Sequence, residues 1–165
     1  MTNKELINYC AAPLFFILML VDAHVTRAFH GMYIWNSHVL LLLMMFSVKL
    51  LSKRYLITTA LILGGIFDLY YIGVLGIYAV VMPLMVWAMY LLEDAIYENI
   101  FTQFFGMVIL VTVFELFTMG IQVFFRLTTI NPVFFVTRFL GPTLLLNIVI
   151  FFLLYLLYQR LFERE

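Results

Sequence analysis

Charge is scarce in this chain. Only 11% of its 165 residues are charged, nine basic and nine acidic, where a soluble domain carries about 25%. The formal net charge is zero, so there is no basic field to attract nucleic acid. Cysteine occurs once, at Cys10, which excludes an intramolecular disulfide. Ile7-Asn8-Tyr9-Cys10 lacks the apolar run of a lipoprotein signal, so Cys10 reads as an ordinary buried thiol. Enzyme signatures are missing too. No H-E-x-x-H, no G-x-S-x-G and no phosphate-binding glycine loop occurs, so no catalytic residue, cofactor or metal is assigned. His24, His30 and His38 cluster around one expected loop at spacings that match no standard metal site, and read as interfacial side chains.

Apolar residues are abundant. They make up 66% of the chain, with eighteen Phe and ten Tyr, and the mean hydropathy is +1.12. A water-soluble core of this size could not bury them all. The chain reads as one all-α polytopic membrane domain over residues 1–165. Lys4 ahead of the Ala11–Val21 run, with Val21-Asp22-Ala23 after it, loosely resembles a cleaved signal. Glu5 spoils the basic segment, and the run is expected to be retained.

A span needs about 20 apolar residues. Six are expected: Cys10–Ala28, with Pro13 in its first turn; Met32–Leu51; a short Tyr55–Asp68, ending there or continuing through Tyr71; Ile72–Leu92; Ile100–Phe125; and Phe139–Tyr158. Glu93, Asp94 and Glu98 form an acidic link, and Arg126–Arg138 reads as a loop around Asn131-Pro132. Asp22, His24 and Arg27 read as snorkelling groups at the end of the first span. With six spans, Lys4, Lys49, Lys53, Arg54, Arg160 and Arg164 share one side and Arg27, Arg126 and Arg138 the other. The positive-inside rule then places both termini in the cytoplasm.

Within these spans a few residues stand out. Ala60, Gly64 and Asp68 share one helix face by their i, i+4, i+8 spacing, and Gly65 lies beside them. Such small residues allow close helix approach in lipid, and Gly73 and Gly76 are expected to repeat the device. Gly106, Gly120 and Gly141 offer further small faces. Asp68 either faces the protein or simply ends a helix among the headgroups. Pro83 frees the carbonyl of Ala79. Glu115, with Thr112, Thr118 and Gln122, forms a polar stripe expected to point inward. Pro142 and Thr143 open the last span, and Thr143 and Asn147 share a face. Asp22, Asp68 and Glu115 could mark a proton path, but no inverted repeat or clearly broken helix pair supports a transporter of that kind.

Two segments carry a resemblance. G-G-I-F-D-L-Y-Y-I-G-V-L-G-I-Y-A-V-V-M-P-L (Gly64 to Leu84) resembles the central signature of the rod-shape-determining MreD proteins. G-P-T-L-L-L-N-I-V-I-F-F-L-L-Y-L-L-Y-Q-R-L (Gly141 to Leu161) resembles their last helix. The resemblance implies a bacterial inner-membrane protein, similar in fold to the substrate-binding subunits of energy-coupling-factor transporters. It also implies binding to an MreC-like single-span protein, and support of the peptidoglycan polymerase and transpeptidase that elongate the wall.

Two functions follow. The first is a non-enzymatic scaffold in which Ala60, Gly64, Gly65, Asp68, Gly73 and Gly76 shape a central turn or a partner contact, and Pro83 and Asn147 shape the inner face. The same glycines could serve packing within the monomer alone. The rival is a vitamin-type binding subunit of a transporter, with Glu115, Gln122, Arg126 and the histidines lining a pocket. A lipid-binding protein would share that pocket.

Overall fold

The computed structural model describes residues 3–28, 33–129 and 131–162. The side chains of residues 3–10 and 161–162 lie outside that description, the Cys10 thiol among them, as does His30. The described residues are helical, with no strand. In chain order the elements are α1 (Asn3–Ala28), α2 (Val39–Ser47), α3 (Lys53–Phe67), α4 (Tyr78–Leu91), α5 (Glu93–Ile96), α6 (Ile100–Phe124), α7 (Pro132–Phe134) and α8 (Gly141–Phe162). A π-helical turn, Asp68–Ile72, continues α3, and another, Phe135–Leu140, joins α7 to α8. Four stretches are long and apolar enough to cross a membrane: Ala11–Ala28, Lys53–Ile72, Ile100–Phe124 and Pro132–Arg160.

The bundle is built around α2. Its nine residues, V-L-L-L-L-M-M-F-S, carry no polar face. A helix that is apolar all round belongs in a core, and Leu40, Leu41, Leu42, Met44, Met45 and Phe46 are all buried. α1, α4 and α8 pack around it. Met19 and Phe15 of α1, Val86 of α4 and Phe151 of α8 close the core, with Phe46 and Phe151 stacked at 5.7 Å.

The second expected span, Met32–Leu51, is therefore not one helix. Residues 34–38 are irregular and α2 covers only Val39–Ser47. Six residues of extended chain reach about 20 Å, and nine helical residues add about 13 Å. At full extension the two would together match a hydrocarbon core of about 30 Å, with half the helix expected.

Other boundaries move for local reasons. The third span continues past Asp68 to Ile72 by way of the π turn. Gly73 then ends it at φ 76°, its N–H donating to the Asp68 carbonyl at 2.7 Å. Gly76 follows at φ 114°. These two glycines supply left-handed backbone, not the close helix contact expected of them, and α4 starts only at Tyr78. The last span begins at Pro132, inside what reads as a loop. Asn131 accepts the N–H of Val133 through Oδ1 at 2.9 Å, and Pro132 takes the first helical position. Asn-Pro here is a helix start. Pro13 lies inside α1, which begins at Asn3, seven residues before the start expected at Cys10.

At the Lys-rich end, two tyrosines tie off the turn after α2. Tyr90 donates to the Leu51 carbonyl at 2.8 Å. Tyr97 donates to the Met45 carbonyl in the last turn of α2, which also accepts the Val48 N–H. Burial pushes the Tyr97 phenol well above its ordinary pKa, which keeps it a donor. Lys49 sits 4.8 Å over the Tyr97 ring.

The contact between α3 and α4 is the most extensive in the bundle, and Gly64 sets its spacing. A Cβ there would lie 2.6 Å from the Tyr78 carbonyl oxygen, 2.8 Å from its carbon and 3.0 Å from the Ala79 Cα. All three are backbone atoms, so the helices would have to part. Gly64→Ala is expected to destabilise by about 1–3 kcal/mol, the usual range for overpacking. Gly65→Ala, with nothing within 4 Å of its Cβ, is the paired control and should melt at or slightly above wild type. Thermal unfolding of the two purified variants in detergent decides it; equal melting would show that α4 is free to move.

Candidate functional site

Non-helical backbone at membrane depth is tolerated only where the protein satisfies its polar groups. Around residues 34–40 the protein does so from three sides. The Ile34 N–H donates to the Arg138 carbonyl at 2.9 Å. Asn36 N–H reaches Thr143 Oγ1 at 3.1 Å, and Ser37 N–H reaches Thr26 Oγ1 at 3.3 Å. His38 N–H donates to Asn147 Oδ1 at 2.9 Å. Asn147 also donates through Nδ2 to the Asn36 carbonyl at 2.8 Å and to the Thr143 carbonyl at 2.7 Å.

Asp22 caps α2 from α1. Its Oδ1 accepts the Ser37 hydroxyl at 2.6 Å and the Val39 N–H at 2.8 Å, and its Oδ2 accepts the Leu40 N–H at 2.9 Å. It is buried. The snorkelling role read for Asp22 is thus corrected: a carboxylate at the positive end of a buried helix is better placed there than in the headgroups. His24 and Arg27, one turn on, are exposed.

Glu115 holds the side chains of the same segment. Its Oε1 accepts from Asn36 Nδ2 at 2.9 Å and faces His38 Nε2 at 2.7 Å. A carboxylate only accepts, which puts the imidazole proton on Nε2. The ring of His38 stands edge-on to Phe114 at 5.0 Å. His38 is buried, not interfacial, because the irregular backbone carries it inward. Of the polar stripe on α6, Glu115 alone reaches across the bundle. Thr112 and Thr118 bond carbonyls of their own helix.

Asp68 does the corresponding work at α4. Its Oδ2 accepts the N–H groups of Gly76 at 2.8 Å and Ala79 at 3.0 Å, and its Oδ1 accepts that of Tyr78 at 2.8 Å. It is fully buried, so of its two readings the protein-facing one holds. Phe67 stacks on Tyr78 at 4.4 Å across the same turn.

Among the residues singled out from the sequence, Thr143 and Asn147 are brought together on the 36–38 segment with Glu115, and Pro142 is buried in the first turn of α8. Gly64, Asp68 and Gly76 meet at the start of α4, Ala60 is buried in the core one turn earlier on α3, and Gly73 ends the π turn beside them. Pro83 lies inside α4, and Gly65 opens to the surface. Asp22, Asn36, Ser37 and His38 complete the site; Asn36 and Ser37 were not singled out, and Asp22 and His38 were read as interfacial groups. Asn36-Ser37-His38, three polar residues directly before a leucine run, is the sequence signal that marks a helix start inside the bilayer.

Beside this network lies a half-open cavity of about 400 Å³. Gln122 and His38 line it, and Glu115 and Arg126 do not, which removes two of the four kinds of group expected for a small-molecule pocket.

The family described as rod shape-determining protein MreD matches residues 3–164 of this chain. The chain belongs to the MreD family. A relative named "Cell shape-determining protein MreD", from Streptococcus pneumoniae (strain ATCC BAA-255 / R6), is 26% identical over 149 residues, covering 88% of each chain. No solved structure matches significantly. Membership connects the chain to the determination of cell shape, and its apolar helices make it a membrane protein. Both segments that carry the resemblance are structural here: the MreD-like turn builds the Asp68 cap, and Thr143 and Asn147 of the last helix clamp residues 36–38.

Proposed function

We propose that this MreD-family chain is a non-enzymatic scaffold of the bacterial inner membrane that holds the membrane helix of an MreC-like single-span protein. Through that partner it supports the peptidoglycan polymerase and transpeptidase of the elongation complex. In this reading the chain crosses the bilayer six times with both termini in the cytoplasm.

The observation that carries it is a division of labour. The buried carboxylates Asp22, Asp68 and Glu115 are engaged with the chain's own backbone and side chains. The outward faces are apolar. Between α4, α5 and α6 lies a groove of about 480 Å³, walled by Met85, Met89, Phe105 and Ile109 with Ala88 and Gly106 leaving room among them. Small residues and adaptable methionines suit the side chains of one more helix. Exposed Asp94 and Glu98 flank its Lys-rich end and would favour a partner with basic residues next to its membrane segment.

A mild-detergent pull-down of the tagged chain from native membranes tests the function, and a photo-crosslinker at Phe105 or Ile109 tests the face. A stoichiometric single-span protein, crosslinked from the groove and not from exposed Leu145 on α8, is expected. Recovery of a cytoplasmic ATPase module in its place would make the chain a transporter subunit.

A further inference from the structure

We propose that the 400 Å³ cavity beside residues 36–40 is a binding site for an amphiphile with an anionic, acceptor-rich head, a phosphate or carboxylate, and an apolar body. This goes beyond the scaffold reading and does not rest on it.

The volume falls within the range of ligand pockets, about 300–1,000 Å³. What decides the ligand's polarity is which lining groups are already engaged. Asp22 accepts three hydrogen bonds from residues 37–40. Thr26 Oγ1 accepts the Ser37 N–H, Ser37 donates to Asp22, and His38 is held by Glu115. The Asp22 carboxylate and the Thr26 hydroxyl oxygen are thus engaged by the chain itself. The remaining polar groups are the Arg27 guanidinium, the side-chain carbonyl of Asn36, the Gln122 amide and the hydroxyls of Tyr71 and Tyr78, and Arg27 is the one cation among the described lining residues. Among the described residues none of these has a hydrogen-bond partner, and Arg27 rests on the Tyr71 ring 5.3 Å from its centroid. Guanidinium, phenol and amide N–H are donors, and a guanidinium with free N–H groups selects a phosphate or carboxylate.

The rest of the wall is apolar and compliant: Met19, Leu40, Leu41, Phe67, Met82 and Met119. Arg27 lies in the last turn of α1, so the charged head would sit at the end of a membrane helix with the apolar body pointing inward. A membrane phospholipid could place its headgroup and the start of one chain there. A soluble organic acid with a flat apolar body would use the same contacts.

Native mass spectrometry of the delipidated full-length protein separates these sources. The probes are dioleoyl-phosphatidylglycerol, dioleoyl-phosphatidylcholine as the zwitterionic control, and 2-naphthoate as the soluble acid. One anionic adduct per chain is expected, with phosphatidylglycerol retained about fivefold or more over phosphatidylcholine. Arg27→Gln should abolish that preference, Arg27→Lys should keep most of it, and Gln122→Trp should block entry. Naphthoate retained with the same dependence on Arg27, and phosphatidylglycerol not, would keep the site and assign it to a soluble acid. Equal retention of the two lipids with no naphthoate adduct would overturn the proposal, as would no adduct from either anionic probe or retention unchanged in both Arg27→Gln and Gln122→Trp. Arg27 is exposed, so its variants should fold; if Arg27→Gln does not, the Arg27→Lys and Gln122→Trp proteins decide by the same comparison.

Discussion

Asp22→Ala is expected to remove folded protein from the membrane. The substitution deprives the Val39 and Leu40 N–H groups and the Ser37 hydroxyl of their acceptor, on the wall of the half-open cavity. Each orphaned buried donor costs about 1–3 kcal/mol. The sum for three donors, about 3–9 kcal/mol, is comparable to the whole stability of a typical domain. Asp22→Asn should fall between, since one oxygen can still accept while the amide N–H₂ would face a donor. Fluorescence-detected size exclusion of a tagged protein, followed by thermal unfolding of whatever survives, measures both. A wild-type level and melting temperature for Asp22→Ala would mean that α2 is not held from α1.

The second large effect is at Asp68. Alanine there leaves three N–H groups at the start of α4 without an acceptor and removes an anion from the positive end of that helix. The expected loss is about 2–5 kcal/mol, because the neighbouring Gly73 turn is exposed and water can reach part of it. Asp68→Asn should lose less, by the same reasoning about its amide. The loss should appear as lower protein level and lower melting temperature, and partner recovery should fall only in proportion to the level. Partner binding lost at full protein level would instead put Asp68 in the interface.

Sequence periodicity carried some of this a long way. Ala60, Gly64 and Asp68 fall on one face because α3 is a regular helix, and Thr143 and Asn147 do so for the same reason on α8. What periodicity could not show is which residues leave the helix. Hydropathy scores Met32–Leu51 as one apolar run, and nothing local says that its first part is extended. That follows from Thr26, Thr143 and Asn147, which offer the backbone another set of partners from distant positions. Asp22 was misread for the same reason. Its distance from the helix end was visible, but its donors lie on another element. Asn131-Pro132 failed differently: the pair signals a turn and a helix N-terminus alike, and the residues after it decide between them.

The clamp on residues 36–38 also orders the protein's assembly. Its bonds join positions 107 to 111 residues apart in the chain, so the acceptors on α8 reach the membrane last. Until they arrive, the Asn36 and His38 N–H groups lack their acceptors, and α1 alone holds the segment through Thr26 and Asp22. Such a segment can stay near the bilayer surface, remain with the insertion machinery, or borrow contacts from a neighbouring protein. The last of the described helices, α8, is thus the one that seats residues 36–38, and the clamp closes only once that helix has joined the bundle.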